Sequence, residues 1–270
     1  MNTPIVFVGG GNMASAIIGG LRRSGTPAAD LLVLDPSEDQ RDKLHAEWGV
    51  DGLAQPGPEL AQAGTVVWAV KPQSFKEAAL TVAPYTATAL HFSVMAGIRS
   101  VDMARALGTA RIVRAMPNTP ALIGAGVAGL YARDDVTAAE REDIAALMAP
   151  TGRCVWVQAE SDLDAVTAVS GSGPAYVFYV IEAMTEAAQR MGLSAAQARE
   201  LVLDTLSGAT ELARRSNEAP ATLRERVTSK GGTTHAAISV LEAAGVKGDF
   251  LAALQAARQR AVELGDEFGA

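Results

Sequence analysis

The chain has 270 residues, of which 49% are hydrophobic and 20% charged, and its formal net charge is −7. This composition is ordinary for a folded globular protein, and the length allows one large domain or two modest ones. An acidic chain without a Lys/Arg cluster argues against a nucleic-acid partner, because phosphate binding needs cationic density. The single cysteine, Cys154, excludes an intramolecular disulfide and fits a reducing compartment.

The sequence also bears on membrane association and metal binding. The first residues lead directly into a strand pattern without a basic signal-peptide region, and no apolar run approaches the length of a membrane-spanning helix. We therefore expect a cytoplasmic protein with no membrane partner. His45, His91 and His235 are scattered and show no metal-ligand spacing, so we predict structural or solvent-facing histidines and no metal site.

Strand and helix signals alternate through the first part of the chain. Short apolar runs predict strands at residues 4–8, 31–34, 65–70, 90–94, 111–115, 127–131 and 153–157. Helices are predicted over residues 12–24 and from a capping box of Ser37 and Gln40 to Gly49, and Thr137 with Glu140 forms another capping box. This alternation predicts an α/β fold, with an N-terminal Rossmann-type, doubly wound parallel sheet.

Strand patterns disappear near Ser161, and we place a domain boundary there, between residues 1–160 and residues 161–270. Pro174 opens a predicted helix that Gly192 ends, and Ser194 with Gln197 caps the next helix. Further helices are predicted from Pro220, over residues 232–244 and over residues 247–268. Their continuous apolar faces favour a bundle that completes its core across a dimer interface, although a self-contained bundle fits the same pattern.

A glycine-rich turn follows the first strand and opens the first helix, in the pattern G-x-G-x-x-A that binds dinucleotides in this context. Gly9 allows the tight turn, Gly11 leaves room for the pyrophosphate, and Ala14 lets the helix pack closely on the strand. The anion then lies at the positive end of the helix. The residues predicted to contact the cofactor here are Val8, Gly9, Gly10, Gly11, Asn12, Met13 and Ala14.

Asp35 ends the second strand, where a carboxylate usually accepts hydrogen bonds from the adenosine ribose, which favours NADH. A 2′-phosphate would be repelled by Asp35 unless a cation compensates. Arg41 and Ser37 are candidates for that role, although we interpret Arg41 as a solvated helix charge. The cofactor is therefore NADPH or NADH, and electrostatics favours NADH.

Other turns at strand ends complete the predicted cofactor site, because ligands of open α/β sheets bind beyond the carboxyl ends of the strands. The turn after the third predicted strand contributes Ala69, Val70, Lys71 and Pro72. The turn after the next strand contributes Val94, Met95 and Ala96. The small residues at this strand end leave room for a nicotinamide ring. Asn118 has two possible roles by sequence: it donates to a carboxamide or to substrate, or it stabilises its own turn.

A second polar turn lies near the end of the chain, where Ser229, Gly231, Gly232, Thr233 and Thr234 lead into a helix. Such a turn offers backbone N–H groups and hydroxyls to an anion, with help from the helix dipole. A small carboxylate fits this chemistry. Helix capping by Thr233 or Thr234 is the plain alternative, and it needs only one hydroxyl.

Several sequence motifs, taken in their order along the chain, resemble those of the pyrroline-5-carboxylate reductase family, and they span nearly the whole chain. They are GGGNMA at residues 9–14, AVKPQ at 69–73, MPNTP at 116–120, SGSGPAY at 170–176 and VTSKGGTT at 227–234. The last phrase is the most specific, and it departs from the family by placing Lys230 where proline is usual.

The resemblance implies a Rossmann domain followed by an all-helical dimerisation domain, with a homodimer as the functional unit and rings of dimers as a larger assembly. It implies an active site between one subunit's cofactor and helical residues of the dimer. The implied reaction is hydride transfer from NAD(P)H to the C=N carbon of 1-pyrroline-5-carboxylate, giving L-proline. By resemblance, Thr234 is the catalytic residue that hydrogen-bonds the ring nitrogen, while Ser229, Gly231, Gly232 and Thr233 hold the carboxylate.

Two other functions are compatible with parts of the sequence. A 3-hydroxyacid dehydrogenase of the same architecture would place a lysine after the interdomain boundary, but residues 161–192 contain Arg190 as their only cation. A non-catalytic dinucleotide sensor would keep Gly9 and Gly11 but would not need the turn from Ser229 to Thr234.

Overall fold

The computed structural model describes residues 4–269 of the chain, which form two compact units. The first unit consists of two segments, the residues up to Ser172 and those from Ala257 onward. The second unit comprises Gly173–Ala256. The boundary that we predicted near residue 161 falls short of the end of the first unit. The segment after it belongs to that unit, because Leu163 is buried and Val166 lies against Gly129 of the sheet.

An eight-stranded sheet forms the first unit, in the order β3-β2-β1-β4-β5-β6-β7-β8. The strands are β1 (Ile5–Val8), β2 (Leu31–Leu34), β3 (Asp51–Leu53), β4 (Thr65–Trp68), β5 (Leu90–Ser93), β6 (Ile112–Met116), β7 (Gly126–Ala132) and β8 (Gly152–Trp156). The sequence did not predict β3, because it is a short edge strand without an apolar run. The Rossmann fold predicted from alternating strands and helices is confirmed.

The sheet is not wholly parallel, which corrects the sequence prediction. Strand β7 pairs antiparallel with β6, and β8 pairs parallel with β7, so both run against the other strands. The connection from β6 to β7 contains only the short 3₁₀ turn Thr119–Ile123. A parallel return would need a crossover of a dozen or more residues, so this short connection requires an antiparallel neighbour.

Helices cover both faces of the sheet. Those of the first unit are α1 (Asn12–Arg23), α2 (Glu38–Trp48), α3 (Phe75–Val82), α4 (Ser100–Leu107), α5 (Ala138–Met148) and α6 (Asp162–Val166). Side chains of β1 alternate between two cores: Phe7 packs with α1, α2 and α5, whereas Val6 and Val8 pack with α3 and α4. Burial on both faces explains why the central strands are apolar throughout.

The second unit is helical, as predicted. A π-helical segment, Thr167–Gly171, precedes it, and its helices are α7 (Gly173–Arg190), α8 (Ala195–Arg215), α9 (Pro220–Arg226), α10 (Thr233–Ala243) and α11 (Val246–Gly269), the last of which continues into the first unit. The predicted capping box of Ser194 and Gln197 begins α8. Pro174 lies in the first turn of α7, close to its predicted place, whereas α6 and the π-helical segment before it were not predicted.

The second unit buries very little apolar surface within a single chain. Its buried hydrophobic side chains within residues 173–256 are Ala188, Ala198 and Val202. Phe178 and Tyr179 on α7 are 63% and 72% exposed, and Leu212 and Val240 are similarly open. This sparse burial argues against a self-contained bundle, because helices that bury so little apolar surface gain little stability alone. The apolar faces need a further surface, as the dimer interpretation requires.

Across the described residues, none of the helices has the combination of length and hydrophobicity that crossing a lipid bilayer demands.

Candidate dinucleotide and anion sites

The glycine turn after β1 fits closely between the neighbouring strand ends. Gly9 has a φ of 94°, and a Cβ there would lie 2.8 Å from the carbonyl oxygen of Ala69. Its N–H donates to the carbonyl of Leu34 at 2.8 Å. Both the backbone angle and the lack of space exclude a side chain, so only glycine fits at this first position of the fingerprint, where the strand ends meet.

The third glycine of the turn leaves open space at the start of α1. Gly11 is the N-cap residue, no side chain caps the helix, and a Cβ built on Gly11 would meet no atom within 4 Å. The first turn of α1 carries no acidic side chain. Ala14 is fully buried behind this turn. The uncapped N–H groups and the open space above Gly11 therefore fit a pyrophosphate, which any side chain there would displace.

Asp35 lies directly after β2 and contacts the glycine turn. Its Oδ2 accepts the Gly10 N–H at 2.8 Å, and its Oδ1 accepts the Ser37 N–H at 2.9 Å. A carboxylate has further lone pairs, so these bonds orient Asp35 without exhausting its capacity to accept from a ribose hydroxyl. The carboxylate thus shapes the glycine turn as well as presenting a negative charge beside it, at the end of β2.

Two details of helix α2 differ from the sequence predictions. Ser37 caps the helix by accepting from the Gln40 N–H, but the Gln40 side chain donates to the Gly10 carbonyl instead of returning to Ser37. The capping box is therefore only half formed, because Asp35 already accepts from the Ser37 N–H. Arg41 donates to the Asp35 carbonyl at 2.8 Å, so its guanidinium lies beside the end of β2 and is not a purely solvated charge.

The turn after β4 lies beside β1, at the point where the order of strands reverses. The Ala69 N–H donates to the Val8 carbonyl at 2.8 Å, which aligns the two strand ends. Pro72 begins a 3₁₀ turn whose N-cap residue is Lys71, and α3 follows from Phe75. Val70 is half-buried and Lys71 exposed, so the lysine ammonium faces solvent at this edge of the sheet.

The turn after β5 exposes little side-chain surface to a ligand. Val94 and Met95 are 9% and 3% exposed, whereas Ala96 is exposed. Gly97 follows with a φ of 77°, and a Cβ there would lie 2.7 Å from the Phe268 ring. Val94 and Met95 can therefore contact a cofactor through their backbone, and Ala96 is the residue whose side chain is available.

Asn118 has a structural role, as the sequence allowed, but it joins distant segments and not only its own turn. Its Oδ1 accepts the Val127 N–H at 3.0 Å, and its Nδ2 donates to the Ser170 carbonyl at 3.1 Å. The side chain thus joins the start of β7 to the π-helical segment, and one N–H of its amide remains for a ligand. This arrangement favours a structural function for Asn118 over the predicted cofactor contact.

The polar turn of the second unit is a hydrogen-bonded turn that starts a helix. The Gly232 N–H donates to the Ser229 carbonyl at 3.0 Å, and Gly231 between them has a φ of 78°. This combination is typical of a type II turn, with Lys230 at its second position and glycine at its third. Only glycine takes such an angle without strain, so the fold of the turn survives the lysine substitution.

The helix that follows this turn begins without a side-chain cap. Gly232 is the N-cap residue of α10, and neither Thr233 nor Thr234 makes a capping hydrogen bond. Thr233 is exposed and Thr234 half-buried, and a Cβ on Gly232 would lie 2.8 Å from Ser229 Oγ. The capping interpretation is therefore wrong, and three hydroxyls adjoin uncapped helical N–H groups, which is a suitable arrangement for a carboxylate.

Sequence reasoning missed a buried ionic cluster beside the turn after β5. Glu160 accepts from the N–H and hydroxyl of Ser100 at 2.5 and 2.6 Å, and Arg114 donates to it at 2.7 Å. Burial raises the pKa of Glu160, but the Arg114 charge and the Ser100 bonds lower it further, so the pKa lies below its ordinary value. No local pattern reveals this cluster, because its members are far apart in the chain.

Within residues 4–269 no group of three or more His, Cys, Asp or Glu side chains is arranged to hold a metal ion. A Rossmann sheet with an open glycine turn at the strand-order reversal, an acid at the end of β2 and a separate helical unit defines an NAD(P)-dependent oxidoreductase.

Comparison with known proteins specifies the class further. Residues 160–264 match the family described as "Pyrroline-5-carboxylate reductase dimerisation", and residues 4–97 match "NADP oxidoreductase coenzyme F420-dependent". The first match begins at the boundary that the sequence predicted near residue 161, although the compact units divide elsewhere.

Relatives match over essentially the full length. The chain is 44% identical to the pyrroline-5-carboxylate reductase of Pseudomonas aeruginosa, covering 100% of both chains. A solved pyrroline-5-carboxylate reductase from Coxiella burnetii is 36% identical with a TM-score of 0.91, covering 98% of this chain and 99% of that one. The Plasmodium falciparum enzyme with NADP bound is 28% identical with a TM-score of 0.87, covering 98% of each chain. The chain belongs to the pyrroline-5-carboxylate reductase family and carries its dimerisation domain.

Proposed function

We propose that this chain reduces the C=N bond of 1-pyrroline-5-carboxylate to L-proline, with NAD(P)H as the hydride donor. The observation that carries the proposal is the start of α10, where Ser229, Thr233 and Thr234 adjoin a helix end that no side chain caps. A reductase of this family needs a binding site for a small carboxylate in addition to its cofactor site. The alternative functions, a 3-hydroxyacid dehydrogenase or a sensor, do not account for this second site.

The cofactor would be held chiefly by backbone groups. The N–H groups at the start of α1 would bind the pyrophosphate over Gly11, where a Cβ would fill the open space. Asp35 would meet the adenosine ribose, and the turns after β4 and β5 would border the nicotinamide end through Ala69 to Pro72 and Val94 to Ala96. When bound, the reduced nicotinamide supplies the hydride that the imine carbon accepts.

The helical unit would bind and orient the substrate. The backbone N–H groups of Gly231, Gly232 and Thr233, with the Ser229 hydroxyl, would hold the carboxylate, since hydrogen bonds to an ionised acceptor are the stronger kind. The Thr234 hydroxyl would hydrogen-bond the ring nitrogen, where a proton must be held as electrons arrive. Because the imine protonates near neutral pH, no strongly acidic side chain is required. Most of the rate gain would then come from positioning the two rings.

The choice between NADH and NADPH depends on two opposite charges at the end of β2. The Asp35 carboxylate opposes a 2′-phosphate, whereas the Arg41 guanidinium lies close enough to donate to the Asp35 carbonyl at 2.8 Å and favours one. We propose that both cofactors are accepted, with Arg41 making NADPH usable despite Asp35.

The functional unit in this proposal is a homodimer, supported by the sparse burial in the second unit and by the family's dimerisation domain. A ring of dimers is the larger assembly implied by the family resemblance. The unpaired Cys154 and the use of a reduced cofactor suit the cytoplasm.

The decisive experiment mixes purified protein with 1-pyrroline-5-carboxylate and follows cofactor absorbance, with NADH and NADPH in parallel. We expect cofactor oxidation with a matching yield of L-proline. A 3-hydroxyacid incubated with NAD⁺ or NADP⁺ is the control for the rival dehydrogenase. If the imine leaves both reduced cofactors unchanged in protein that binds them, the proposed function is wrong.

A further inference from the structure

The start of α4 is capped by a residue that is distant in the sequence. Its own N-cap residue, Arg99, makes no side-chain capping bond. Instead Glu160, which follows β8, accepts from the Ser100 N–H at 2.5 Å and from the Ser100 hydroxyl at 2.6 Å. A carboxylate at this position satisfies an otherwise free helical N–H and complements the helix dipole.

The same carboxylate is fixed by a buried cation. Arg114 of β6 is 7% exposed and donates to Glu160 Oε1 at 2.7 Å, and Arg133 donates to the Ser100 hydroxyl at 3.4 Å. Since a buried guanidinium needs a counter-charge, the hydrogen bond from Arg114 holds Glu160 in place, and the Asp164 carboxylate is a second negative charge close to Arg114. The cluster therefore fixes the start of α4 to the sheet.

The turn of residues 94–99 lies between β5 and this fixed helix start. Within this turn, Arg99 donates to Asp266 at 3.1 Å and Gly97 lies against the Phe268 ring, and both partners belong to the last turns of α11. Two neighbouring residues, Arg99 and Ser100, thus attach the carboxyl end of the turn to charged partners. Its exposed residue is Ala96, which the proposed function places beside the nicotinamide.

We propose that Glu160 is a positioning residue for hydride transfer, which acts by holding the turn of residues 94–99 against the nicotinamide end of the cofactor site. The inference rests on the proposed function for the location of that end. Hydride transfer is sensitive to small changes in donor–acceptor geometry, so loosening the carboxyl end of the turn lowers the rate of the chemical step while the adenosine end stays intact.

The chain contains a matched control for this cluster. Glu140 accepts from the Thr137 N–H and hydroxyl at 2.8 and 2.9 Å at the start of α5, and it accepts from Arg111 Nε at 3.0 Å. The chemistry repeats that of Glu160, with a helix start and an arginine as partners. Arg111, however, precedes β6 at its amino end, on the sheet edge opposite the cofactor turns.

The test compares Glu160→Gln with Glu140→Gln. Each rate is divided by the folded fraction of that variant, which its measured melting profile gives. For Glu160→Gln we expect kcat about tenfold lower, a larger primary deuterium isotope effect with 4-deuterated cofactor, and a smaller shift of nicotinamide fluorescence on binding. Affinity for ADP-ribose, which lacks the nicotinamide, stays within about twofold. Glu140→Gln should leave all these quantities unchanged per folded molecule.

Two further variants keep the test informative if Glu160→Gln folds poorly. Ser100→Ala removes one bond of the cluster and should change the isotope effect in the same direction by a smaller amount, whereas Glu160→Asp should restore part of kcat. Equal losses in the Glu140 and Glu160 variants, or an unchanged isotope effect, would overturn the inference. Should the wild-type protein fail to reduce the imine, the proposed function falls, and the fluorescence and ADP-ribose measurements alone decide the role of Glu160.

Discussion

The Asp35 carboxylate and the Gly10 amide join the end of β2 to the glycine turn, with 2.8 Å between Asp35 Oδ2 and the Gly10 nitrogen. Asp35 therefore has two functions at one position. It presents a negative charge at the end of β2, where we propose that the adenosine ribose binds, and it fixes the glycine turn that we propose receives the pyrophosphate. Substitutions can separate the two functions, because only the first depends on net charge.

Replacing Asp35 with asparagine should change the cofactor preference toward NADPH. A carboxylate and a phosphate charge ~4 Å apart in water repel by about 1 kcal/mol, so the ratio of kcat/KM for NADPH to that for NADH should rise about fivefold. Both values will also fall, because a carboxamide has a single oxygen and cannot accept from both N–H donors as the carboxylate does. The exposed Asp39 of α2 supplies the control, and Asp39→Asn should leave the ratio unchanged.

Replacing Arg41 with alanine should change the preference in the opposite direction. Its guanidinium lies at the end of β2, where it donates to the Asp35 carbonyl, and it is the cation that would compensate a 2′-phosphate. We expect kcat/KM for NADPH to fall about fivefold relative to that for NADH, with a steeper fall at low ionic strength. Lys43→Ala removes an exposed cation from the same helix as a control. Equal losses with both cofactors would show that Arg41 only stabilises the turn.

Thr234 is the residue whose hydroxyl we assign to the ring nitrogen. Thr234→Val, which keeps the side-chain volume, should lower kcat by roughly tenfold to a hundredfold, the usual cost of one hydrogen bond to a charged group. The KM for the cofactor should remain within about twofold. Thr234→Ser should recover most of kcat because it retains the hydroxyl. Ser239→Ala, on the exposed surface of α10, is the matched control. Wild-type turnover in Thr234→Val would remove the hydroxyl from the mechanism.

The turn around Lys230 offers a test of loop rigidity. Lys230 occupies the second position of a type II turn, where proline already has the required φ, and Gly231 at the third position has a φ of 78°. Lys230→Pro should therefore raise the free energy of unfolding by about 0.4–1 kcal/mol, by restricting the unfolded chain. Urea titration measures this change, and Lys230→Ala is the control that removes the charge without fixing φ. A destabilised proline variant would mean that the turn has a different backbone in solution.

Local patterns were sufficient to predict most elements of the fold. The glycine turn, the apolar strands and the capping boxes of Thr137 and Ser194 depend on residues close in sequence, and the structure contains all of them. The reversal of β7 was missed because periodicity gives strand positions but not direction. Edge strand β3 was missed because its three residues lack an apolar run.

Side-chain interactions between distant segments were the least predictable features. Gln40 would complete a capping box by local rules, yet it donates to Gly10, thirty positions away. Glu160 and Ser100 are separated by 60 residues, so only the folded sheet brings them together. The cofactor-site turns could be proposed from sequence because strand ends converge in a parallel sheet, whereas the contacts that hold those turns depend on the three-dimensional packing.

His91 is buried in the first unit and should make stability depend on pH. Its Nδ1 accepts from the Trp68 indole at 3.0 Å, its other ring nitrogen contacts the Thr86 carbonyl at 3.2 Å, and the side chain is 1% exposed. Burial lowers the pKa of His91 from 6.5 to about 4. The hydrogen bond with Thr86 raises this pKa in part, whereas the Arg111 charge lowers it further. The neutral ring is therefore the native form.

Because the unfolded chain binds this proton at higher pH than the native protein does, the stability linked to His91 is complete above pH ~6.5 and is lost progressively as the pH falls toward ~4. Integration over this window gives a loss of about 3 kcal/mol, which urea titrations between the two limits would measure. His91→Gln retains an acceptor and a donor without titrating, so it should be less stable at neutral pH but should have a flatter pH dependence. An unchanged slope in His91→Gln within this window would contradict the assignment to His91, because Glu140 and Glu160, whose pKa values are lowered, lose their contribution only at more acidic pH.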